Sequence, residues 1–132
     1  MATASGSFSV SSWKEDAYDE PEGPEGGGKL TRATVELDFS GAVDGVAAVE
    51  WLMAYRVDGT AHFVGLARVR GSVEGRPGTF VLENTGEFDG MVARGEWSVV
   101  RGSGTGDLEG LSGTGGFEAG QEATYTLDYV LA

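Results

Sequence analysis

Two polar side chains, Glu50 and Asn84, stand among apolar and small residues where predicted strands would line a cavity. Removal from water raises the pKa of a carboxyl group by up to roughly 3 to 5 units, so a buried Glu50 is suited to act as a general acid or base. The neutral amide of Asn84 would donate a hydrogen bond to a developing oxyanion. The alternative is structural: Glu50 pairs with Arg56 or another buried polar partner and stabilises the fold, since such pairs also perturb pKa values.

Other groups that could perform chemistry are few. His62 is the only histidine and cysteine is absent, so a zinc site or a Ser-His nucleophile has too few parts. His62 is expected on the outer face of the fold. The glycines of residues 102–106 are not followed by the Lys-Ser/Thr of a phosphate loop, and no carboxylate spacing typical of a calcium site is present. We therefore expect neither a metal nor a cofactor.

The elements that position Glu50 and Asn84 are predicted from alternation and turn residues. Residues 32–39 alternate apolar and polar side chains, the period of a strand covered on one face. Three Asp-Gly pairs follow, and this pair favours two-residue type I′ hairpin turns. These pairs are Asp44-Gly45, Asp58-Gly59 and Asp89-Gly90, and a four-residue loop at 75–78 would supply a further hairpin. Together they predict a ladder of consecutive antiparallel strands.

The predicted registers divide the ladder into a lining face and an outer face. A two-residue loop at Asp44-Gly45 sets Glu50 opposite Phe39, on the lining face. Small residues there would leave room for a ligand, and large ones would form its walls. The residues predicted to contact a ligand, besides Glu50 and Asn84, are Phe39, Leu52, Phe63, Gly65, Ala67, Leu82, Gly95 and Trp97.

The same arithmetic predicts an apolar patch on the outer face, formed by Trp51, Met53, Tyr55, Val64 and Leu66. A patch of this kind is normally covered or used for binding. Either the long first loop packs on it, or another subunit does. A homo-oligomer through Trp51, Met53 and Tyr55 is therefore one expectation.

The remaining segments bring the total to about eight strands. Phe8 and Val10 begin a first strand, in which Trp13 is out of phase, so that strand either bulges there or has already ended. The last strand, 124–131, has no short turn that fixes its inward face. Eight strands suffice to close a barrel that is filled by side chains or holds one small ligand, and closure removes exposed edges. We predict an all-β fold, a single closed antiparallel β-barrel that forms one lipocalin-like domain over residues 1–132.

Charge and hydropathy limit the classes of partner that the protein is expected to bind. The chain has 132 residues and a formal net charge of -12, which would repel a nucleic-acid backbone or an anionic membrane surface. No stretch approaches the roughly 18 apolar residues of a membrane span, and the first residues lack the pattern of a signal peptide. We therefore expect a cytoplasmic protein. Residues 14–28 form an acidic Gly/Pro-rich segment, predicted as a loop that is either a lid or a solvated connection.

Several runs of residues resemble a known family. They are Val49-Glu-Trp-Leu-Met-Ala-Tyr-Arg56, Asp58-Gly-Thr60, Phe63-Val-Gly65, the glycine-rich run 102–113 and Tyr125-Thr-Leu-Asp-Tyr129. With them the chain resembles a bacterial family of small domains of unknown function in the allene oxide cyclase-like barrel superfamily. The resemblance implies the barrel fold. Related cyclases hold hydrophobic substrates in an apolar cavity, with a glutamate in the allene oxide cyclases.

Three functions therefore stay open at this point. The first is the binding of a small hydrophobic molecule in the barrel. The second is a cofactor-free isomerase or cyclase in which Glu50 transfers a proton. The third is a structural or oligomerisation module whose barrel is filled by its own side chains.

Overall fold

Eight antiparallel strands, each hydrogen-bonded to the next, form the fold in the computed structural model, which describes residues 1–21 and 27–131. β8 pairs back onto β1, from Ala2 opposite Tyr129 to Ser7 opposite Thr124, and this closes the barrel. The predicted all-β closed barrel of eight strands is confirmed. The strands are β1 (Ala2–Asp19), β2 (Leu30–Gly41), β3 (Val43–Tyr55), β4 (Ala61–Val73), β5 (Arg76–Phe88), β6 (Ala93–Val99), β7 (Leu111–Ala119) and β8 (Ala123–Leu131).

β1 extends much further than its sequence suggests. It takes in residues 14–19 of the segment predicted as an acidic loop at 14–28, and residues 22–26 of that segment lie outside the described residues. The register between β1 and β2 shifts between Val10 and Ser12, so the bulge considered near Trp13 is present. Because a bulge inserts one residue, Trp13 and then Glu15 face inward after it.

The turn between β2 and β3 lies at Ala42, not at Asp44-Gly45. Phe39 pairs with Gly45 instead of Glu50, a register shift of five residues. Contacts distant in sequence fix the turn: the amide N–H of Val43 donates to the hydroxyl of Tyr125 at 2.8 Å, and that hydroxyl donates to the carbonyl of Ser40 at 2.9 Å. Since a shift by an odd number of residues moves every side chain to the opposite face, the whole of β3 is reversed relative to the prediction.

The turn between β3 and β4 is a three-residue loop, not a two-residue one. The amide N–H of Arg56 donates to the carbonyl of Thr60 at 2.7 Å, and that of Gly59 donates to the carbonyl of Arg56 at 3.0 Å. Gly59 has φ 90, as expected for the last residue of this loop type. This adds a second odd shift, of one residue. The two errors cancel, and Phe63 on β4 faces inward as predicted.

Even shifts preserve the predicted faces of β5 and β6. The β4–β5 turn contains Glu74 and Gly75, both with positive φ (47 and 83), which is a two-residue type I′ turn and not a four-residue loop at 75–78. At the β5–β6 turn, the carboxylate of Asp89 accepts hydrogen bonds from the amide groups of Met91 and Val92 at 2.9 and 2.8 Å. Phe88 therefore pairs with Ala93, two residues beyond the predicted partner.

The end of the barrel near the β4–β5 turn is closed. A short 3₁₀ turn at Gly106–Leu108 lies across it and buries Leu108 completely. Backbone and hydroxyl hydrogen bonds fasten this segment to β5: the amide of Thr105 donates to the carbonyl of Thr79 at 2.9 Å, and the hydroxyl of Ser103 accepts from the amide of Val81 at 3.0 Å. The opposite end, where β3, β5 and β7 finish, is the open end.

The last strand points its aromatic residues into the barrel. Tyr125, Leu127 and Tyr129 are buried, which answers a question that the sequence left open. Among the described residues, the chain contains no helix of the length and hydropathy that a membrane span requires.

Candidate functional site

The middle of the barrel is filled by aromatic rings. The ring of Phe117 lies 5.2 Å from that of Trp97 and 6.0 Å from those of Phe8 and Phe63, measured between centroids. Phe39 also packs on Trp97, with 6.1 Å between the ring centroids. The void that remains in this layer has a volume of about 10 Å³, at the lower limit for a single water. A ligand cannot occupy the middle of this barrel without displacing side chains.

Glycines make this dense packing possible. A Cβ atom on Gly65 would lie 2.3 Å from Cδ1 of Trp51, and one on Gly95 would lie 2.5 Å from the ring of Phe117. The sequence analysis expected these small residues to leave space for a ligand. The space above them is instead occupied by the protein's own rings, because a flat aromatic face can lie directly on a backbone that lacks a Cβ.

A pocket of about 240 Å³ lies above this layer, at the open end. An apolar cavity of about 150 Å³ suffices for benzene, so this one has room for a substituted ring. Two of its wall residues at the mouth, Val10 and Trp13, are 52% and 46% exposed. The lining is almost entirely apolar and includes seven aromatic side chains: Phe8, Val10, Trp13, Trp51, Met53, Tyr55, Phe63, Phe88, Ala93, Phe117 and Ala119.

The carboxylate of Glu15 lies next to this pocket and is hydrogen-bonded to two of its wall residues. Its Oε2 accepts hydrogen bonds from the hydroxyls of Thr31 at 2.6 Å and Tyr55 at 2.9 Å, and its Oε1 accepts from Nε1 of Trp13 at 3.2 Å. Tyr55 and Trp13 line the pocket, so Glu15 fixes the positions of two wall residues through these hydrogen bonds. The bulge in β1 places it there, opposite Ala33 on the inner face.

The phenol of Tyr55 contributes a hydroxyl group to this mostly apolar lining. Its hydroxyl also lies 3.8 Å from Sδ of Met53. Burial, and then the hydrogen bond to Glu15, raise the pKa of Tyr55 to about 12. Tyr55 is therefore protonated at neutral pH, where it acts as a hydrogen-bond donor.

The titration of Tyr55 tests this arrangement. Replacing Glu15 with glutamine removes the bond to a carboxylate but leaves the burial, so we expect the pKa of Tyr55 to fall from about 12 while staying above its ordinary value of about 10. Phenolate absorbance, compared between each protein and its Tyr55→Phe counterpart, reports this pKa. Because the folded value is raised, the stability that depends on Tyr55 is present below about pH 10 and is lost as the pH rises through about 12. Identical curves with and without the Glu15 carboxylate would contradict the contact.

The position predicted for Glu50 is wrong. Its side chain is on the outer face and 44% exposed, with Oε2 3.0 Å from Nε of Arg32. The hydroxyl of Thr34 also donates to it at 3.0 Å. The hydrogen bond from Arg32 is the main cause that holds the pKa of Glu50 below its usual value, the opposite of the shift expected inside a cavity. Leu52, also predicted inside, is 47% exposed, and the odd shift of β3 explains both errors.

Asn84 does face inward and is 3% exposed. Its Oδ1 accepts a hydrogen bond from Nε1 of Trp51 at 2.5 Å, so this amide orients an indole that forms part of the pocket wall. A catalytic role for Asn84 stays a prediction. The other predicted ligand contacts also face inward; among them Phe63 lines the pocket, and the rest are in the packed layers below: Phe39, Gly65, Ala67, Leu82, Gly95 and Trp97.

Trp51, Met53 and Tyr55 point into the barrel, so their predicted place on the outer face is wrong. Met53 is 6% exposed, and all three line the pocket. The predicted homo-oligomer would need other residues. Val64 and Leu66 do lie exposed on the outer face, as expected.

His62 is on the outer face, as expected, beside the carboxylate of Glu87, which Arg56 also contacts at 2.8 Å. Within the described part of the chain, no group of three His, Asp or Glu residues converges as metal ligands would. Sequence reasoning missed the polar residues Glu15 and Thr31. It also did not predict as ligand contacts four aromatic residues of the pocket wall: Phe8, Trp13, Phe88 and Phe117. Extending the alternation of Trp13, Glu15 and Ala17 past the bulge would have identified Glu15.

Comparison with known proteins identifies a family and a solved structure of a similar protein. The pattern of a family described as "Protein of unknown function (DUF3224)" matches residues 4–129. The crystal structure, at 1.84 Å resolution, of a protein with unknown function from the DUF3224 family of Shewanella oneidensis MR-1 is 30% identical, with a TM-score of 0.84. That match covers 100% of this chain and 98% of the other. No curated protein matches the chain.

Proposed function

Because the chain belongs to the DUF3224 family, whose function is unknown, we propose from its own geometry that it binds a small, mostly apolar molecule at the open end of the barrel. The observation that carries this proposal is the pocket of about 240 Å³ with its aromatic walls. Pockets that bind small molecules are typically apolar with a few placed polar groups. This pocket combines an apolar wall with the hydroxyl of Tyr55, which is hydrogen-bonded to Glu15.

The ligand that fits these walls is a ring compound with one polar substituent. The apolar part would stack among Trp51, Phe63 and Phe117, where burial contributes about 25 cal/mol per Å² of apolar surface. The polar substituent would lie toward Tyr55, whose hydroxyl oxygen accepts no hydrogen bond from a described residue and can accept one from the ligand. Glu15 orients that hydroxyl.

The geometry supports ligand binding better than it supports an isomerase or cyclase reaction. The reaction depended on a buried Glu50, and that side chain is on the outer face in an ion pair with Arg32. We retain the relation to allene oxide cyclase-like barrels as a proposal, supported by the closed eight-stranded barrel and its apolar end pocket. A cytoplasmic location likewise remains a proposal.

Filling the pocket tests the function. Ala93 and Ala119 are paired on β6 and β7, and both line the pocket. Replacing Ala93 with phenylalanine places a ring where the ligand would lie, so we expect the affinity for 2-naphthol, measured by titration calorimetry, to fall by a factor of about ten or more, at 1.4 kcal/mol per factor of ten. Naphthalene should bind the unaltered protein more weakly, since it lacks the hydroxyl.

The matched control is Val130→Phe. It adds a ring on the outer face of β8, where Val130 is 46% exposed, and should leave the affinity unchanged. Equal binding by the Ala93→Phe variant would show that the ligand lies elsewhere. Absence of binding of both compounds to the unaltered protein would refute the proposed function.

A further inference from the structure

The outer surface of β2, β3 and β4 has a charge pattern that the pocket does not use. Three neighbouring columns run along these strands, and we call them together the β2–β4 face. The strand pairing forms two rows across this face, and each row places an acid of β2, an apolar residue of β3 and an arginine of β4 side by side. The columns are Glu36 and Asp38 on β2, Val46 and Ala48 on β3, and Arg68 and Arg70 on β4.

All six side chains of this face are exposed, and Val46 is 51% exposed. Across the described ranges, 1–21 and 27–131, none of its four charged residues has an ion-pair partner within 4 Å. The chain has only 9 basic residues against 21 acidic ones. Two of these basic residues, Arg68 and Arg70, nevertheless form no ion pair with a described acid. An apolar column between unpaired charges of opposite sign is suited to a partner with the mirrored order.

We propose that a second copy of this chain binds the β2–β4 face, around a two-fold axis that runs along β3. Rotation about this axis exchanges the columns of β2 and β4. Asp38 then faces the partner's Arg70, and Glu36 faces the partner's Arg68. Since an isologous contact repeats each pair, two rows of the face produce four ion pairs between the copies.

In this arrangement the apolar column of β3 packs against the same column of the second copy. Val46 would lie against its own counterpart near the axis, and Leu66 and Leu52, which are 55% and 47% exposed, extend the apolar surface. Glu50 also lies near the axis, opposite its counterpart. That carboxylate is already bound by Arg32 at 3.0 Å and by Thr34, which limits its repulsion.

The charge order favours a second copy over other partners. An acidic peptide or a nucleic acid would satisfy Arg68 and Arg70 but would bring negative charge against Glu36 and Asp38. A basic partner would have the reverse problem. Only a surface with both columns, in the opposite order, pairs all four charges, and this protein itself has that surface. The convex barrel limits the contact area, so we expect a dissociation constant in the micromolar range.

Charge reversal with complementation tests the dimer. The unaltered protein at about 100 µM should sediment at twice the 13.7 kDa of one chain. The double variants Glu36→Arg/Asp38→Arg and Arg68→Glu/Arg70→Glu should each dimerise at least about ten times more weakly. An equimolar mixture of the two should recover the dimer, because each reversed column then meets a matching one. The control Glu96→Arg/Glu122→Arg, with the same charge change away from this face, should dimerise normally.

Three results would overturn the proposal. One is an unaltered protein that sediments as a monomer at that concentration. The second is a dimer that either double variant leaves intact. The third is a mixture that stays monomeric although both variants retain the far-ultraviolet circular dichroism of the barrel. None of these results depends on the pocket, so the proposal and the proposed function succeed or fail separately.

Discussion

Replacing Phe117 with alanine is expected to lower the free energy of unfolding by about 3–5 kcal/mol, the usual cost of removing a buried phenylalanine. Phe117 is 8% exposed and lies within 5.2 to 6.4 Å of the rings of Trp97, Phe8, Phe63 and Trp51. It also fills the space above Gly95, where no Cβ could replace the lost contacts. Urea denaturation followed by tryptophan fluorescence measures the loss.

The same substitution should change what the pocket accepts. Phe117 lines both the pocket at the open end and the small void beneath it. Its removal joins the two spaces, so a longer compound such as 4-phenylphenol should gain affinity relative to 2-naphthol. A stability loss below about 1 kcal/mol would mean that the aromatic layer relaxes around the change and does not set the floor of the pocket.

The fold was predictable because it depends on alternation and on the number of strands. Residues 32–39 showed their inward face directly, and closure follows once eight strands need to bury their edges. The positions of the turns were not predictable in the same way. Tyr125, more than 80 residues away along the chain, holds the turn at Ala42, and no local pattern at Asp44-Gly45 reports that contact.

The predicted side-chain faces were wrong where the observed register differs from the predicted one by an odd number of residues, and they were correct where it differs by an even number. β3 lies between two odd shifts, so Glu50 and Leu52 were exchanged with Trp51 and Met53. On β4 the errors cancelled, and on β5 the even shifts left Asn84 inside. The predicted acid, Glu50, is therefore not part of the candidate site. The acid next to the site is Glu15, which only the bulge in β1 brings inward.

The sequence also could not distinguish a hollow barrel from a filled one. Gly65 and Gly95 are compatible with either a ligand or an aromatic ring above them. The choice depends on which rings share their layer, and that follows from the registers. With Trp51 inside, the middle of the barrel is full and the space for a ligand is confined to the open end.

A barrel that is packed in the middle predicts that its two ends act independently, and Leu108 tests this. Leu108 is completely buried in the 3₁₀ turn across the closed end, so its replacement by alanine should lower the free energy of unfolding by about 2–5 kcal/mol. The pocket is separated from it by the layer around Trp97 and Phe117. The affinity for 2-naphthol should therefore stay unchanged at a temperature where the variant is fully folded.

Comparison of the two destabilised variants separates stability from binding. If the Phe117→Ala and Leu108→Ala proteins lose similar stability but only the first changes its ligand preference, the pocket depends on the aromatic layer and not on the rigidity of the whole barrel. A loss of affinity in Leu108→Ala as large as that in Ala93→Phe would show that strain passes through the packed layer. The closed end would then be part of the binding apparatus, because its 3₁₀ turn would position the rings on which the ligand rests.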